Sequence, residues 1–200
     1  MYKYFIVYKP FNVLSQFSSP DGKPTLKDFF EVPKDVYPVG RLDYDSEGLL
    51  ILTNDTGLNH RLLNPRFAHE REYYVQVEGS IDPSAIALLQ SGVDISLNGK
   101  IYRTLPCKAA LFPVAPPVPD RNPPIRYRAN IPTSWIKLIL TEGKNRQVRK
   151  MTAQTGFPTL RLIRQRIGLI ELEGLPPGEM RELKKDPIYR LLGITPPVGN

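Results

Sequence analysis

Three stretches of the 200-residue chain hold side chains whose types and spacing could do chemistry. The first is GRLDYDSEGLL, where Asp43, Asp45 and Glu47 alternate and Gly48 follows. That pattern superficially matches the start of a calcium loop. A calcium loop needs a bidentate Glu at its twelfth position, which here is Asn54, and irregular backbone where this chain reads LLILT. A charged turn accounts for Asp45 and Glu47, but less well for Arg41 and Asp43, which sit beside the apolar Val39 and Leu42. The second stretch runs from Gly143 to Arg166 and carries Lys144, Arg146, Arg149, Lys150, Arg161, Arg164 and Arg166 with no acidic residue, an electrostatic footprint for a polyanion. The third is REYYVQVEG, where Arg71, Tyr73 and Tyr74 enter a strand-like run. Strand alternation sends the two rings to opposite faces, so one can pack in a core while the other faces a groove and stacks on an unstacked base.

The elements that must hold these residues can be read from local pattern. YKYFIVY, closed by Lys9-Pro10, reads as a buried strand, and LLILT from Leu49 to Thr53 as a central one, so the Asp43 stretch is a loop feeding a strand. PTLKDFF from Pro24 reads as a short helix, and GLNHRLLN after Asp55 as another. DPSAIALLQSG from Asp82 has a capping Asp, a first-turn proline and a terminal glycine. EYYVQVEG and SWIKLILTEG are expected strands, and a helix is expected from about Asn145 to Thr155. On that helix Val148, Met151, Thr152 and Thr155 share the packing face, while Arg146, Arg149, Lys150 and Ala153 look outward. Cations in a helix's first turn oppose its dipole at a cost of roughly a few tenths of a kcal/mol each, so a compensating anion is expected: a phosphate backbone or a buried carboxylate. Strands mixed with few helices, without strict alternation, indicate an α+β domain.

Composition limits the rest. Twenty-seven Lys and Arg against 20 Asp and Glu give a net charge of +7. A single cysteine, Cys107, rules out an internal disulfide, and two histidines are too few for a histidine-rich centre, so no metal is expected. Nothing approaches a membrane span or a secretory signal, which makes the cytoplasm the expected location and a membrane partner unexpected. Prolines 113, 116, 117, 119, 123 and 124 point to a stiff surface loop, and the segment from Lys184 to Asn200 to a loosely ordered tail.

Lys9-Pro10, GRLDYDSEGLLILTND, REYYVQVEG and LTEGKNRQVRKMTAQTGFPTLRLIR occur in an order and spacing that resemble the ribosomal RNA pseudouridine synthases of the RsuA group. The likeness covers about Tyr4 to Leu183, and FNVLSQF, RNPPIR and IPTSWIKL make it look especially like the bacterial large-subunit members. The resemblance implies the pseudouridine synthase fold, a mainly antiparallel mixed sheet in two subdomains with a central active cleft. It places one catalytic domain at 1–183, with subdomains at about 1–70 and 71–183, a tail at 184–200, and no N-terminal RNA-binding domain of the S4 type. It implies isomerisation of a uridine in 23S ribosomal RNA, naked or in an assembling particle, by a monomer that needs no cofactor. Asp43 corresponds to the nucleophile, Tyr73 to the family tyrosine, and Arg149 to the arginine of RQVR, here expected to pair with Asp43 and keep it ionised. Attack on C1′, formation of a glycal and addition at C6 all remain open. Arg41, Lys9, Lys144, Arg146, Lys150, Arg161, Arg164 and Arg166 are the candidate RNA contacts. Arg71 departs from the lysine often found there, a change that keeps charge but alters geometry. The alternative is a non-catalytic RNA-binding or ribosome-assembly protein on the same scaffold, which leaves unexplained a carboxylate kept where phosphates must dock.

Overall fold

YFIVYK is too continuously apolar for a half-exposed element, and it becomes a strand with all six residues buried. A computed structural model describes residues 1–195 apart from 20, 127 and 129. Its first part contains β1 (Tyr4–Lys9), β2 (Tyr37–Pro38), β3 (Glu47–Thr53) and α1 (Thr56–Leu63). There follow β4 (Arg71–Glu78), α2 (Pro83–Ser91), β5 (Asp94–Leu97), β6 (Lys100–Arg103), β7 (Lys108–Leu111), β8 (Thr133–Leu140) and α3 (Gln147–Gln154). The chain ends through β9 (Thr159–Ile167), β10 (Ile170–Glu171), β11 (Met180–Leu183) and α4 (Lys185–Leu191). The class is α+β with mainly antiparallel pairing, as expected. Two compact units are present: Met1–His69 with Arg164–Asn200, and Glu70–Ile163.

In the first unit β1 lies between β3 and β11, antiparallel to both, with Tyr4 opposite Thr53 and Leu183 and Lys9 opposite Gly48. Phe5, Val7, Leu50 and Leu52 bury one face against Val13, Leu26, Phe30 and Val36. Asp55 organises the other end. Its Oδ1 caps α1 by accepting from the Leu58 amide at 3.1 Å, and its Oδ2 accepts from the hydroxyls of Tyr4 and Tyr189, each at 2.7 Å. The two rings meet edge to face.

Burial works against the ionised Asp55 carboxyl, but the hydroxyls of Tyr189 and Tyr4 and the amides of Leu58 and Gly57 outweigh it and hold its pKa below the ordinary value. A lowered folded-state pKa stabilises the fold above the unfolded value of about 3.9 and ceases to do so as pH falls toward the folded value. Asp55→Ala is expected to cost about 3 kcal/mol at pH 7, from a lost cap and two buried hydroxyls left without their acceptor. Urea titrations should show that the gap from the wild type narrows between pH 4 and pH 2; a gap independent of pH would contradict this account.

Two sequence expectations need correction. Segment 164–183 was grouped with the second part, but it belongs to the first unit because β11 pairs with β1. The tail from Lys184 is not loose through Leu191: α4 buries Ile188 and Tyr189, the latter on Asp55. Its last residues, 196–200, lie outside those described.

In the second unit β4 alternates, sending Tyr73, Val75 and Val77 into a core shared with Ile136, Leu138 and Leu140 of β8, Ala85 and Leu89 of α2, and Val148 and Met151 of α3. β8 lies between β4 and β7, antiparallel to both. Asp82 caps α2 through the Ala85 amide. The proline-rich stretch is irregular after β7, as expected, but it is anchored: Pro116 is buried, Phe112 packs edge-on to Tyr74, and the Pro119 carbonyl accepts from Arg161 at 2.8 Å.

Candidate active site

The Asp43 loop is built from its glycines inward. At Gly48 φ is +108°, and an added Cβ would lie 2.3 Å from the carbonyl oxygen of Arg164 and 2.7 Å from its nitrogen, so the second position of β3 calls for glycine. Upstream, the Val39 amide donates to the Ile51 carbonyl, and Gly40, at φ +70°, turns the chain away. Leu42 then buries its side chain, and both its main-chain groups meet one hydroxyl. Ser15 Oγ accepts from the Leu42 amide at 3.0 Å and donates to the Leu42 carbonyl at 2.8 Å. A turn follows, closed by the Ser46 amide donating to the Asp43 carbonyl at 3.0 Å.

Beneath this loop lies Lys9, whose exposure is 0%. Its ammonium donates to the carbonyls of Val13 at 2.7 Å and Pro10 at 2.8 Å, and reaches that of Tyr44 at 3.5 Å. Burial brings its pKa down to about 7 against the pull of the Glu47, Asp45 and Asp43 carboxylates, and Arg164 adds to the lowering. Lys9 is therefore corrected from an RNA contact to an internal prop. The same applies to Arg164, 5% exposed, whose Nε donates to the Leu49 carbonyl at 2.7 Å, and to Arg161, also 5% exposed and bound to Pro119. Counting charge could not reveal that these cations serve carbonyls within the protein.

In the second unit Tyr73 is 9% exposed on the core face of β4, and Tyr74 is on the opposite face, as alternation requires. The helix expected from Asn145 to Thr155 is α3, two residues shorter at its start, with Arg146 as a left-handed cap at φ +52°. Its packing face is Gln147, Val148, Met151 and Thr152. A buried carboxylate precedes the helix: Glu142 is 7% exposed. Glu142 accepts from the Leu105 amide at 2.8 Å, the Gln147 side-chain amide at 2.7 Å and the Tyr102 hydroxyl at 2.5 Å. Gln147 in turn accepts from the Lys144 amide, and the Lys144 ammonium sits 5.0 Å over the Tyr102 ring. The loop from Gly143 to Arg146 is thereby tied at both ends, with Lys144 and Arg146 exposed.

Arg41 is exposed in the first unit; Arg166 is half-buried there and donates to the Gly168 carbonyl. Arg149 and Lys150 are half-buried on α3, and Arg71 is half-buried at the start of β4. The first unit thus holds Asp43, Lys9, Arg41, Arg164 and Arg166, and the second holds Tyr73, Arg149, Lys144, Arg146, Lys150 and Arg161. Sequence reading missed Ser15, Glu142 and Gln147. Nothing local in the sequence marks Ser15. Among the described residues no group of three or more His, Cys, Asp or Glu side chains could hold a metal ion, and no helix is long and apolar enough to cross a membrane.

The chain belongs to the RNA pseudouridylate synthase family, whose profile matches residues 3–154. It is an isomerase that converts uridine to pseudouridine in RNA. Among its relatives, the ribosomal large subunit pseudouridine synthase E of Vibrio parahaemolyticus is 47% identical over 182 residues, which cover 91% of this chain and 74% of that protein. The enzyme of the same name from Xanthomonas campestris is 47% identical over 181 residues, covering 88% and 92%. A pseudouridylate synthase crystal structure superposes with a TM-score of 0.75 at 29% identity, covering 96% of this chain and 74% of that one.

Proposed function

We propose that this enzyme isomerises one uridine of large-subunit ribosomal RNA, acting as a monomer in the cytoplasm with Asp43 as its nucleophile. The observation that carries the substrate is the 47% identity, along about nine-tenths of the chain, to enzymes named for the large ribosomal subunit. The reaction breaks the bond between N1 of the base and C1′ of the sugar, turns the uracil, and joins C5 to C1′, with C5 giving up its proton and N1 taking one up. Atoms and oxidation state are conserved, so one ionised carboxylate that forms and releases an adduct or moves a proton is sufficient. The Asp43 turn is supported from below by Lys9 and on its N-terminal flank by Ser15, which suits a group that must be held still.

Two further roles follow the family correspondence. The Tyr73 ring packs in the core of the second unit and is not offered for stacking, so its role is through the hydroxyl, available for proton transfer, and Arg149 supplies the positive charge that favours the ionised form of the reacting carboxylate. Of the candidate RNA contacts, Arg41 in the first unit and Lys144 and Arg146 in the second are the exposed ones and contact phosphates, with half-buried Lys150 following on α3.

The test is to incubate the protein with a 23S ribosomal RNA transcript and with a large-subunit precursor particle, map pseudouridine chemically, and measure RNA affinity against salt. One modified uridine and a steep loss of affinity with salt are expected. Binding without pseudouridine in either substrate would overturn the assignment in favour of a binding module. A flat salt response would remove the phosphate contacts.

A further inference from the structure

The main chain around Asp43 is held by a residue outside its own loop. Ser15 lies 27 positions before Leu42 and is 6% exposed. A serine hydroxyl has one proton to give and lone pairs to receive. Here both capacities are spent on one residue, since Oγ accepts from the Leu42 amide and donates to the Leu42 carbonyl. Without Ser15 these two buried peptide groups would lose their partner, and the residue immediately before Asp43 would have reason to turn.

The serine itself is well fixed. The Leu14 amide donates to the Pro24 carbonyl at 2.8 Å, the Leu26 amide donates to the Gln16 carbonyl at 2.9 Å, and Leu14 bridges Thr25 in parallel. Val13, two residues before it, is in the core. On the far side of Asp43, Lys9 faces the Tyr44 carbonyl, and the Asp43 carbonyl takes the Ser46 amide. Leu42, Asp43 and Tyr44 are therefore each engaged through the main chain.

We propose that Ser15 is a positioning residue for the isomerisation, clamping the Leu42 peptide groups so that the Asp43 carboxylate is presented in one orientation. The proposal rests on the reading of Asp43 as nucleophile. Ser15 touches no RNA in this role. Its loss should appear in turnover and leave substrate binding alone, because a displacement of about 1 Å at a reacting group costs roughly 100-fold in rate.

The test compares Ser15→Ala and Ser15→Thr with the wild type and with Asp43→Asn, on the same ribosomal RNA. Ser15→Ala is expected to lower kcat roughly 10- to 100-fold with KM and RNA affinity within about twofold, and Ser15→Thr, which keeps the hydroxyl, to recover most of kcat. Amide hydrogen exchange at Leu42 should speed up in Ser15→Ala and return toward the wild-type rate in Ser15→Thr. Wild-type kcat in Ser15→Ala, or unchanged Leu42 exchange, would overturn the clamp, as would equal losses of kcat in both variants. If Ser15→Ala yields no soluble protein, Ser15→Cys, a weak donor of similar size, takes its place with the same outcomes. An active Asp43→Asn would instead overturn the nucleophile assignment, and the exchange data would still decide whether the clamp exists.

Discussion

Asp43→Asn is expected to abolish pseudouridine formation, lowering turnover at least about 1,000-fold, while leaving RNA affinity equal to or slightly above that of the wild type. The amide has nearly the shape of the carboxylate and preserves the turn closed by Ser46, but it cannot be the anionic nucleophile. Removing a negative charge from a surface that must receive phosphates can only help binding, so the variant separates binding from chemistry. Single-turnover assays with excess enzyme would measure this directly. Arg149→Ala and Tyr73→Leu should follow in the same direction, with turnover falling more than affinity. Full activity in Asp43→Asn would refute its role whatever the other two show.

The second large effect is on folding. Gly48→Ala would place a Cβ 2.3 Å from the Arg164 carbonyl oxygen in a backbone conformation, φ +108°, that side chains rarely adopt. Neither obstacle can give easily: the nearest atoms are main chain, and the Arg164 guanidinium is already bound to the Leu49 carbonyl. Strain at positive φ and forced overpacking together should cost about 3 to 5 kcal/mol. Denaturant unfolding would report it, and a midpoint within error of the wild type would show that β3 and the Arg164 segment are less closely packed than described.

Much of this site could be read in the residues themselves. Asp43 stood out because a charged turn did not account for a carboxylate beside Val39 and Leu42, and family resemblance chose it over Asp45 and Glu47. The faces of α3 followed from 3.6-residue periodicity, and the alternation of Tyr73 and Tyr74 from the strand repeat. What local pattern could not supply was burial and long-range pairing. Lys9, Arg161 and Arg164 count as cations in any tally of charge, yet each directs its charge to carbonyl groups inside the protein. The clamp between Ser15 and Leu42 joins residues from two separate loops, and the place of segment 164–183 depends on a strand pairing across nearly the whole chain. No periodicity encodes either.

That last pairing bears on how the chain is made. The second unit is a continuous stretch, Glu70–Ile163, so its strand partners emerge from the ribosome one after another. The first unit cannot be completed in that way. β1 is synthesised well before the strand that covers its outer edge, β11, which comes some 170 positions later, at Met180–Leu183. Throughout that interval β1 remains an apolar strand with one row of hydrogen-bonding groups unfilled, a template for unwanted association. A message truncated before Met180 would leave that edge open permanently, which makes β11 the guardian of β1.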